Sequence, residues 1–327
     1  MEITDSKEIT GIQILRGFAS LAVVLCHAGF ALTAYPALSG FLMYGQLGVE
    51  VFFFISGYII IYSLSKNKYS VKYFFLFLVK RSIRIDPMYI LTIFFTLASF
   101  WLFSFFPSFK GKAIPFIFQQ FVAHLIYVVP FTKWPFYNHV FWTLGVEFQF
   151  YFIIGIFYFL SEKPLFKVIF ILSFSCSCFL PLSNSYYLVS NYAAIFGVGI
   201  SLIEYQNSNR VIYMVCFVAG CILIYIHFDL ITLLLILTSC AIIILNKRKY
   251  FILTFLGKIS YSLYLLHPLV LLFIGGLFKR FVPYNNHNQL IILSMQLSVS
   301  ISISYLFYIL VEKPSLKFSK KLRIHQP

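Results

Sequence analysis

The 327-residue chain is short of charge, because only 11% of its residues are Asp, Glu, Lys or Arg and only ten are acids. Soluble globular proteins carry about 25% charged residues, so this composition excludes that class. Hydrophilic and low-complexity sequence is also scarce, which excludes intrinsic disorder. Apolar residues are abundant instead: they make up 61% of the chain, and the mean hydropathy is +0.89. The composition predicts an integral membrane protein.

The net charge of +15 does not indicate nucleic-acid binding, because Lys and Arg occur in short clusters between long apolar runs. This pattern is typical of the cytoplasmic loops of a multi-pass membrane protein, so the lipid bilayer is the predicted partner. All six cysteines fall within the apolar runs, where cysteine is most often a packing residue, and no disulfide framework is expected. No repeat or long linker divides the chain, so residues 1–327 are predicted to form a single membrane domain.

Ten stretches are long and apolar enough to cross the membrane, since a spanning helix needs about 20 mostly apolar residues. The predicted fold is therefore all-α, a bundle of about ten transmembrane helices. A further apolar stretch, 114–130, is interrupted by polar residues and is predicted to be an interfacial or re-entrant helix. The ten predicted spans are 11–33, 46–65, 87–107, 140–160, 165–181, 187–204, 211–227, 229–246, 259–278 and 290–311.

The loop charges predict the orientation of this bundle. With Arg16 left out because it lies inside the first span, alternate sides of the ten spans receive 19 and five Lys and Arg residues. Because cytoplasmic loops carry the excess of positive charge, both termini are predicted to be cytoplasmic.

Arg16 and His27 are ionisable residues within the first predicted span. Such groups cost about 2.5–3.5 kcal/mol on insertion scales, which makes them candidates for function. Their separation of eleven residues corresponds to three helical turns plus about 20°, so both side chains lie on one helix face. The structural alternatives are that Arg16 snorkels to the cytoplasmic surface and that His27 is a hydrogen-bonded packing residue.

Glu147 and Glu50 are acids within or just inside the fourth and second spans. From the helical rise, Glu147 and His27 lie about 10 Å and about 9 Å below the outer surface, and Glu50 lies slightly shallower. A carboxylate beside a histidine is the usual arrangement for a general base, and Glu147 is the candidate for that role. Glu50 is equally compatible with an interfacial position.

Arg81 and Arg84 are three residues apart, just before the third predicted span, and two guanidinium groups in register suit phosphate oxygens. The orientation rule alone also explains basic residues at this place. His267 precedes Pro268, and its imidazole could compensate the backbone carbonyl that the proline frees. No set of residues has metal-ligand spacing with a third ligand, so no metal is expected.

Five motifs in order resemble those of the acyltransferase-3 family of bacterial integral-membrane acyltransferases, which includes O-antigen O-acetylases. They are Arg16 with His27, GVEVFFFISGY at 48–58, the Arg-x-x-Arg of Arg81 and Arg84, FWTLGVEFQFYF at 141–152 and ISYSLYLLHPL at 259–269. The resemblance implies transfer of an acyl group, most often acetyl from cytoplasmic acetyl-CoA, to a carbohydrate hydroxyl. It also implies a place in the bacterial inner membrane.

By this resemblance His27 would be the catalytic residue, Arg16 its companion, and Arg81 with Arg84 the donor-binding pair. Glu147 lies in a further motif, and Glu50 and His267 are candidates for binding the acceptor. His27 would act either as general base or as carrier of a transient acyl-imidazole. The chain lacks the extracytoplasmic esterase-like domain of longer members, so it is expected to act alone or with a separate acceptor-bearing protein.

The expected acceptor is a sugar of O-antigen or of another surface polysaccharide precursor such as lipopolysaccharide, possibly lipid-linked, arriving from the periplasmic face. The alternative function is a transporter or flippase, in which Arg16, His27, Glu50 and Glu147 form a substrate or proton pathway. The lack of a repeat and of paired broken spans argues against this alternative.

Overall fold

The computed structural model describes residues 5–105, 113–160, 162–183, 185–246, 248–281 and 286–322. Over these residues the chain is helical and contains no β-strand. Four cations used in the orientation count, Lys110, Lys112, Lys247 and Arg323, lie outside the described residues. Thirteen α-helices are described: α1 (Asp5–Gly29), α2 (Pro36–Met43), α3 (Gly48–Lys66), α4 (Phe74–Phe103), α5 (Phe118–Leu125), α6 (Trp142–Ile153), α7 (Pro164–Cys176), α8 (Ala193–Ser208), α9 (Val211–His227), α10 (Leu230–Leu245), α11 (Phe251–Phe281), α12 (Asn286–Phe307) and α13 (Lys313–Lys321).

Six helical segments of the described chain are long and apolar enough to span a membrane. Three of the other predicted spans coincide with shorter apolar helices, α7, α9 and α10. The fourth coincides with α8, which is buried along most of its length. The all-helical, multi-pass character of the fold is therefore confirmed. The six segments are Thr10–Gly29, Pro36–Lys66, Val71–Phe103, His139–Tyr158, Phe251–Gly276 and Asn288–Lys321.

Helix α4 begins 13 residues before the predicted start of the third span, so Pro87 lies inside the helix and not at its first turn. Its buried stripe includes Phe77, Ile85 and Met88, and Arg81 and Arg84 fall between these residues at helical spacing. Charge lowers the local hydropathy, which is why the sequence pattern placed the start of this span too late. The two arginines consequently lie within a helix and not in a loop before it.

Helices α1 and α11 pack against each other through glycines. A Cβ on Gly17 would lie 2.1 Å from the backbone oxygen of Leu253, and a Cβ on Gly257 would lie 2.0 Å from that of Gln13. The two backbones therefore approach as closely as small residues allow in helix pairs of membrane proteins. This contact fixes the position of α11 relative to the stripe that carries Arg16 and His27.

The predicted interfacial segment 114–130 contains one short helix, α5, whose His124 is fully buried. The Nδ1–H of His124 donates to the carbonyl oxygen of Gln120 (2.8 Å), and its Nε2 accepts from the backbone N–H of Tyr137 (3.2 Å). Burial lowers the pKa of His124 to about 4. The neutral imidazole of His124 therefore has a structural role, because its two hydrogen bonds join α5 to the backbone at Tyr137.

Candidate active site

A cavity of about 110 Å³ lies within the bundle, between α1, α3, α4, α6, α11 and the turn that follows α12. Apolar and aromatic side chains form most of its wall, and serines and tyrosines add hydroxyl groups. Five charged side chains from four different segments also line it: Arg16, Arg81, Arg84, Glu147 and Glu312.

Arg81 and Arg84 face this cavity from α4, one helical turn apart. The guanidinium carbon of Arg81 lies 5.3 Å from the ring centroid of Tyr151 and 5.5 Å from that of Phe77. Neither arginine forms a hydrogen bond or an ion pair with any residue in the described ranges. Each guanidinium therefore keeps its five N–H donors for a ligand or for water.

Arg16 enters the same cavity from α1. Its Nε donates to the hydroxyl oxygen of Ser260 on α11 (3.1 Å), and Ser260 in turn donates to the carbonyl oxygen of Gly257 (2.9 Å). Arg16 also interacts electrostatically with Arg84, Glu312 and Glu147. The guanidinium points into the bundle, so the alternative that Arg16 snorkels to the cytoplasmic surface is wrong.

Glu147 contributes one of the two carboxylates. Its Oε1 accepts a hydrogen bond from the Ser56 hydroxyl of α3 (2.7 Å) and another from the hydroxyl of Tyr151, one turn along α6. Because Arg81 lies over the ring of Tyr151, the carboxylate and the guanidinium are connected through one tyrosine. The partners of Glu147 are thus on the arginine side of the cavity.

Glu312 supplies the second carboxylate, from a π-helical turn (Tyr308–Glu312) that joins α12 to α13. Its Oε2 accepts from the backbone N–H (3.2 Å) and the hydroxyl (2.7 Å) of Ser262. The side chain is 4% exposed and interacts electrostatically with Arg16 and Arg84. Two hydrogen bonds from one serine hold this acid toward the arginines.

The charges of the cavity do not cancel. Three guanidinium groups face two carboxylates, and among the described residues no ion pair within 4.0 Å joins them. A buried positive excess is costly unless it is compensated, so the site favours an anionic ligand. Arginine is the side chain best suited to phosphate oxygens, since its planar fork offers paired donors.

His27 lies near the C-terminal end of α1 and pairs with His267 of α11. The two ring centroids are 4.9 Å apart and the ring planes form an angle of 63°. The Nδ1–H of His27 donates to the carbonyl oxygen of Val23 (2.9 Å), because a carbonyl oxygen can only accept a hydrogen bond. Nε2 of His27 therefore carries the lone pair that is available for chemistry.

The imidazole of His267 compensates the backbone carbonyl that Pro268 leaves without a donor, as the sequence predicted. A proline cannot donate to the carbonyl four residues earlier, which here belongs to Tyr264. The Nδ1–H of His267 donates to this oxygen (2.7 Å), while its Nε2 is buried and has no partner among the described residues. His267 is thus fixed by the helix and presents its second nitrogen inside the bundle.

Tyr264 separates the cavity from the two histidines. Its ring lines the cavity and lies 5.9 Å from the ring of His267, and its hydroxyl is 3.1 Å from the hydroxyl oxygen of Thr143. His27, His267 and Glu50 are not among the residues that line the described cavity. One aromatic side chain therefore divides the arginine site from the histidine pair.

Glu50 does not line the cavity, and it interacts electrostatically with Tyr186, Tyr192 and Asp229. Its Oε2 is buried and without a hydrogen-bond partner in the described ranges. The predicted layer of His27, Glu50 and Glu147 is therefore not a set of mutual contacts. His27 is hydrogen-bonded to a backbone carbonyl, and Glu147, the candidate carboxylate partner of its imidazole, is turned by α6 toward Ser56 and Tyr151 instead.

The structure brings some of the predicted site residues together. Arg16, Arg81, Arg84 and Glu147 share one cavity, and Arg16 and His27 both face α11, as their spacing predicts. No group of three metal-ligating side chains is found among the described residues.

Three residues of this site were missed by the sequence interpretation: Glu312, Tyr151 and Tyr261. Glu312 follows directly after the last apolar run, where an acid is usually interpreted as an interfacial residue. Because the chain has only ten acids, its presence there could have indicated a functional residue. Tyr151 and Tyr261 are two of 23 tyrosines, and nothing in the sequence distinguishes them. The hydroxyl of Tyr261 donates to the carbonyl oxygen of Ile85, which ties α11 to α4 beside Arg84.

Comparison with known proteins agrees with this arrangement. The family model described as an acyltransferase domain matches residues 9–311. "Putative acetyltransferase ORF330" of Acidianus two-tailed virus is 28% identical over 286 residues, which cover 79% of this chain and 82% of the viral protein. No solved structure matches the chain. The chain is a multi-pass membrane enzyme that transfers acyl groups, and it belongs to the acyltransferase-3 family.

Proposed function

We propose that this enzyme transfers an acetyl group from acetyl-CoA to a hydroxyl group of a carbohydrate. The observation that carries the proposal is the cavity in which Arg16, Arg81 and Arg84 outnumber the carboxylates. Coenzyme A carries phosphate groups, and the unpaired donors of Arg81 and Arg84 suit their oxygens. The apolar wall between these arginines and Tyr264 would accommodate the pantetheine arm.

His27 is the proposed catalytic residue. A sugar hydroxyl gives its proton to Nε2 of His27 while its oxygen bonds to the thioester carbonyl carbon; the carbon–sulfur bond then breaks, and the proton passes to the departing thiolate. The same lone pair would serve in a two-step route through an acyl-imidazole. The products, an acetyl ester and free coenzyme A, balance in both routes.

The other residues have supporting roles in this proposal. Arg16 and Glu147 complete the donor site, Glu147 by holding Tyr151 against Arg81. His267 positions the ring of His27, with which it is in contact. Because Tyr264 separates the cavity from His27, the proposed reaction includes a displacement of the Tyr264 ring when the thioester enters.

The proposed topology has ten spans formed by one domain over residues 1–327, with both termini in the cytoplasm of a bacterial cell and the protein in the inner membrane. The parallel packing of α1 and α11 supports it, because Arg16 contacts Ser260 and, further along both helices, His27 contacts His267. The first and ninth of ten spans run in the same direction. The histidines then lie toward the periplasm, which suits an acceptor such as a lipid-linked O-antigen sugar.

Membranes containing the enzyme, supplied with acetyl-CoA labelled in the acetyl group, test this function. We expect label on membrane or surface carbohydrate, removed by mild alkali as an ester, and a rate of labelling that is lower by about 10²–10⁴-fold with His27→Ala. Labelling of carbohydrate at the wild-type rate in the His27→Ala membranes would contradict the assignment of His27. Translocation of unlabelled sugar without any labelled product would favour a carrier.

A further inference from the structure

Residues 185–192, which follow α7 in the chain, form an aromatic surface next to the start of α6. The ring of Tyr186 lies 4.6 Å from that of Trp142 at the start of α6, measured between centroids, and 5.3 Å from that of Tyr187. Trp142 is itself buried against Tyr192 at 5.6 Å. Tyr186 remains 39% exposed, so one aromatic residue is presented to the outside on a buried aromatic support.

Hydrogen bonds hold this segment in place. The side chain of Gln149 donates to the carbonyl oxygen of Tyr187 (3.0 Å) and accepts from the backbone N–H of Val189 (3.0 Å). The hydroxyl of Tyr192 donates to the carbonyl oxygen of Tyr186 (3.3 Å). The exposed ring therefore has a fixed position, as a binding surface on a loop requires.

Polar groups adjoin the ring. Gln46 is exposed and lies close to Tyr186. Glu50 interacts electrostatically with the same tyrosine, and its Oε2 has no hydrogen-bond partner in the described part of the chain. A buried oxygen without a donor is costly, and a ligand hydroxyl group would satisfy it.

This surface is connected to α1, the helix that carries the proposed catalytic histidine. The turn that carries Gln46 packs against α1, because a Cβ on Gly45 would lie 2.1 Å from the backbone oxygen of Ala22 and 3.2 Å from Cβ of Cys26. Cys26 immediately precedes His27. Tyr264, which is in ring contact with His267, also interacts electrostatically with Tyr186 and Glu50.

We propose that Tyr186, supported by Trp142 and flanked by Gln46 and Glu50, is the binding site for a sugar ring of the acceptor. The apolar face of the sugar packs on the Tyr186 ring, its hydroxyl groups donate to the carboxylate of Glu50, and the amide of Gln46 supplies both a donor and an acceptor. This inference rests on the proposed function. It adds the residues that select a carbohydrate on the outer side of His27.

Binding is tested without the reaction, by tryptophan fluorescence of the full-length purified protein. Trp101→Phe and Trp134→Phe together leave Trp142 as the single tryptophan, directly under Tyr186. The probes are the methyl glycosides of glucose, galactose, rhamnose and N-acetylglucosamine. We expect a saturable change with at least one of them, retained in Tyr186→Phe and weakened at least tenfold in Tyr186→Ala. A response unchanged in Tyr186→Ala, or the lack of any response, would overturn the proposal.

Transfer provides the second measurement. Tyr186→Ala should lower acetylation of carbohydrate at least tenfold through a higher KM for the acceptor, while the Kd for coenzyme A, which binds at the arginine cavity, stays unchanged. Tyr225→Ala, at an exposed tyrosine of α9, is the matched control and should behave as wild type. Normal acetylation by Tyr186→Ala rejects this site alone. Sugar binding without any acetylation by the wild type rejects the proposed function and leaves the sugar site in place.

Discussion

The imidazole rings of His27 and His267 meet edge to face, with centroids 4.9 Å apart, and each donates its Nδ1–H to a carbonyl of its own helix. Both Nε2 atoms are therefore acceptors in the neutral tautomers. A pair of this kind is rigid, since each ring is held by a backbone hydrogen bond. The basic nitrogen of His27 is thus preorganised without a carboxylate partner, in contrast to the usual general-base arrangement.

Replacing His27 by Ala should lower kcat for acetyl transfer by about 10²–10⁴-fold, because a positioned base contributes about that factor. The affinity for coenzyme A should not change, since His27 does not line the arginine cavity. Steady-state transfer and equilibrium CoA binding measure the two effects. Cys26→Ala, at the adjacent position of α1, is the control and should keep kcat; normal turnover of the His27 variant would refute the role of this residue.

Arg81→Ala with Arg84→Ala should raise the Kd for coenzyme A by about 10–100-fold per arginine, because a hydrogen bond to a charged group contributes about 1.5–3 kcal/mol. Calorimetric titration of the purified protein measures this loss. The double Lys variant keeps the charge but not the paired donors, so an intermediate Kd is expected. Lys72→Ala, an exposed cation before α4, should leave Kd unchanged, and an unchanged Kd in the double Ala variant would exclude phosphate binding here.

Gly17→Ala and Gly257→Ala should each destabilise the protein, because the added Cβ would lie 2.1 Å and 2.0 Å from backbone oxygens of the partner helix. Overpacking of this kind costs about 1–3 kcal/mol. Thermal unfolding in detergent provides the measurement. A Cβ on Gly40 of α2 meets nothing within 4 Å, so Gly40→Ala should leave the melting temperature unchanged or raise it. Equal melting temperatures for all three variants would contradict the close packing of α1 on α11.

Acid should destabilise the protein through His124. Its pKa is about 4 in the folded protein and near 6.5 when unfolded, so the unfolded chain binds more protons between these values. The free energy of unfolding therefore falls as the pH drops from about 6.5 to about 4, by about 3 kcal/mol in total.

The matched variant for this pH effect is His124→Gln, whose amide can donate and accept hydrogen bonds but does not titrate. Unfolding measured between pH 7.5 and pH 4.5 should show a smaller pH dependence for this variant than for the wild type. Identical slopes would mean that His124 is already protonated or solvated in the folded protein.

The sequence predicted correctly the features that depend on the geometry of a single helix. Arg16 and His27 lie on one face because the helical repeat fixes their relative direction, and both do contact α11. His267 compensates the carbonyl freed by Pro268 for the same local reason. The shared motifs also indicated acyl transfer, which the family match confirms.

Contacts between different helices were harder to predict from the sequence. Glu147 and His27 lie at similar depth by counting residues, but depth says nothing about helix rotation, and α6 directs Glu147 to Ser56 and Tyr151. Glu312 joins the cavity because α12 continues through a π-helical turn beyond its apolar stretch. The start of the third span was predicted too late for a related reason. The sequence does not show whether an arginine is buried or exposed, so the arginines of α4 were placed before the span.

The amino-acid sequence by itself determined that this chain is a helical membrane protein and which side chains share the face of one helix, because hydropathy and the helical repeat are local properties. Only the tertiary structure decided that Arg16, Arg81, Arg84, Glu147 and Glu312 surround one cavity, and that Tyr264 separates it from His27 and His267. These arrangements depend on the rotation and spacing of helices distant in the chain, which close packing at positions such as Gly17 and Gly257 fixes.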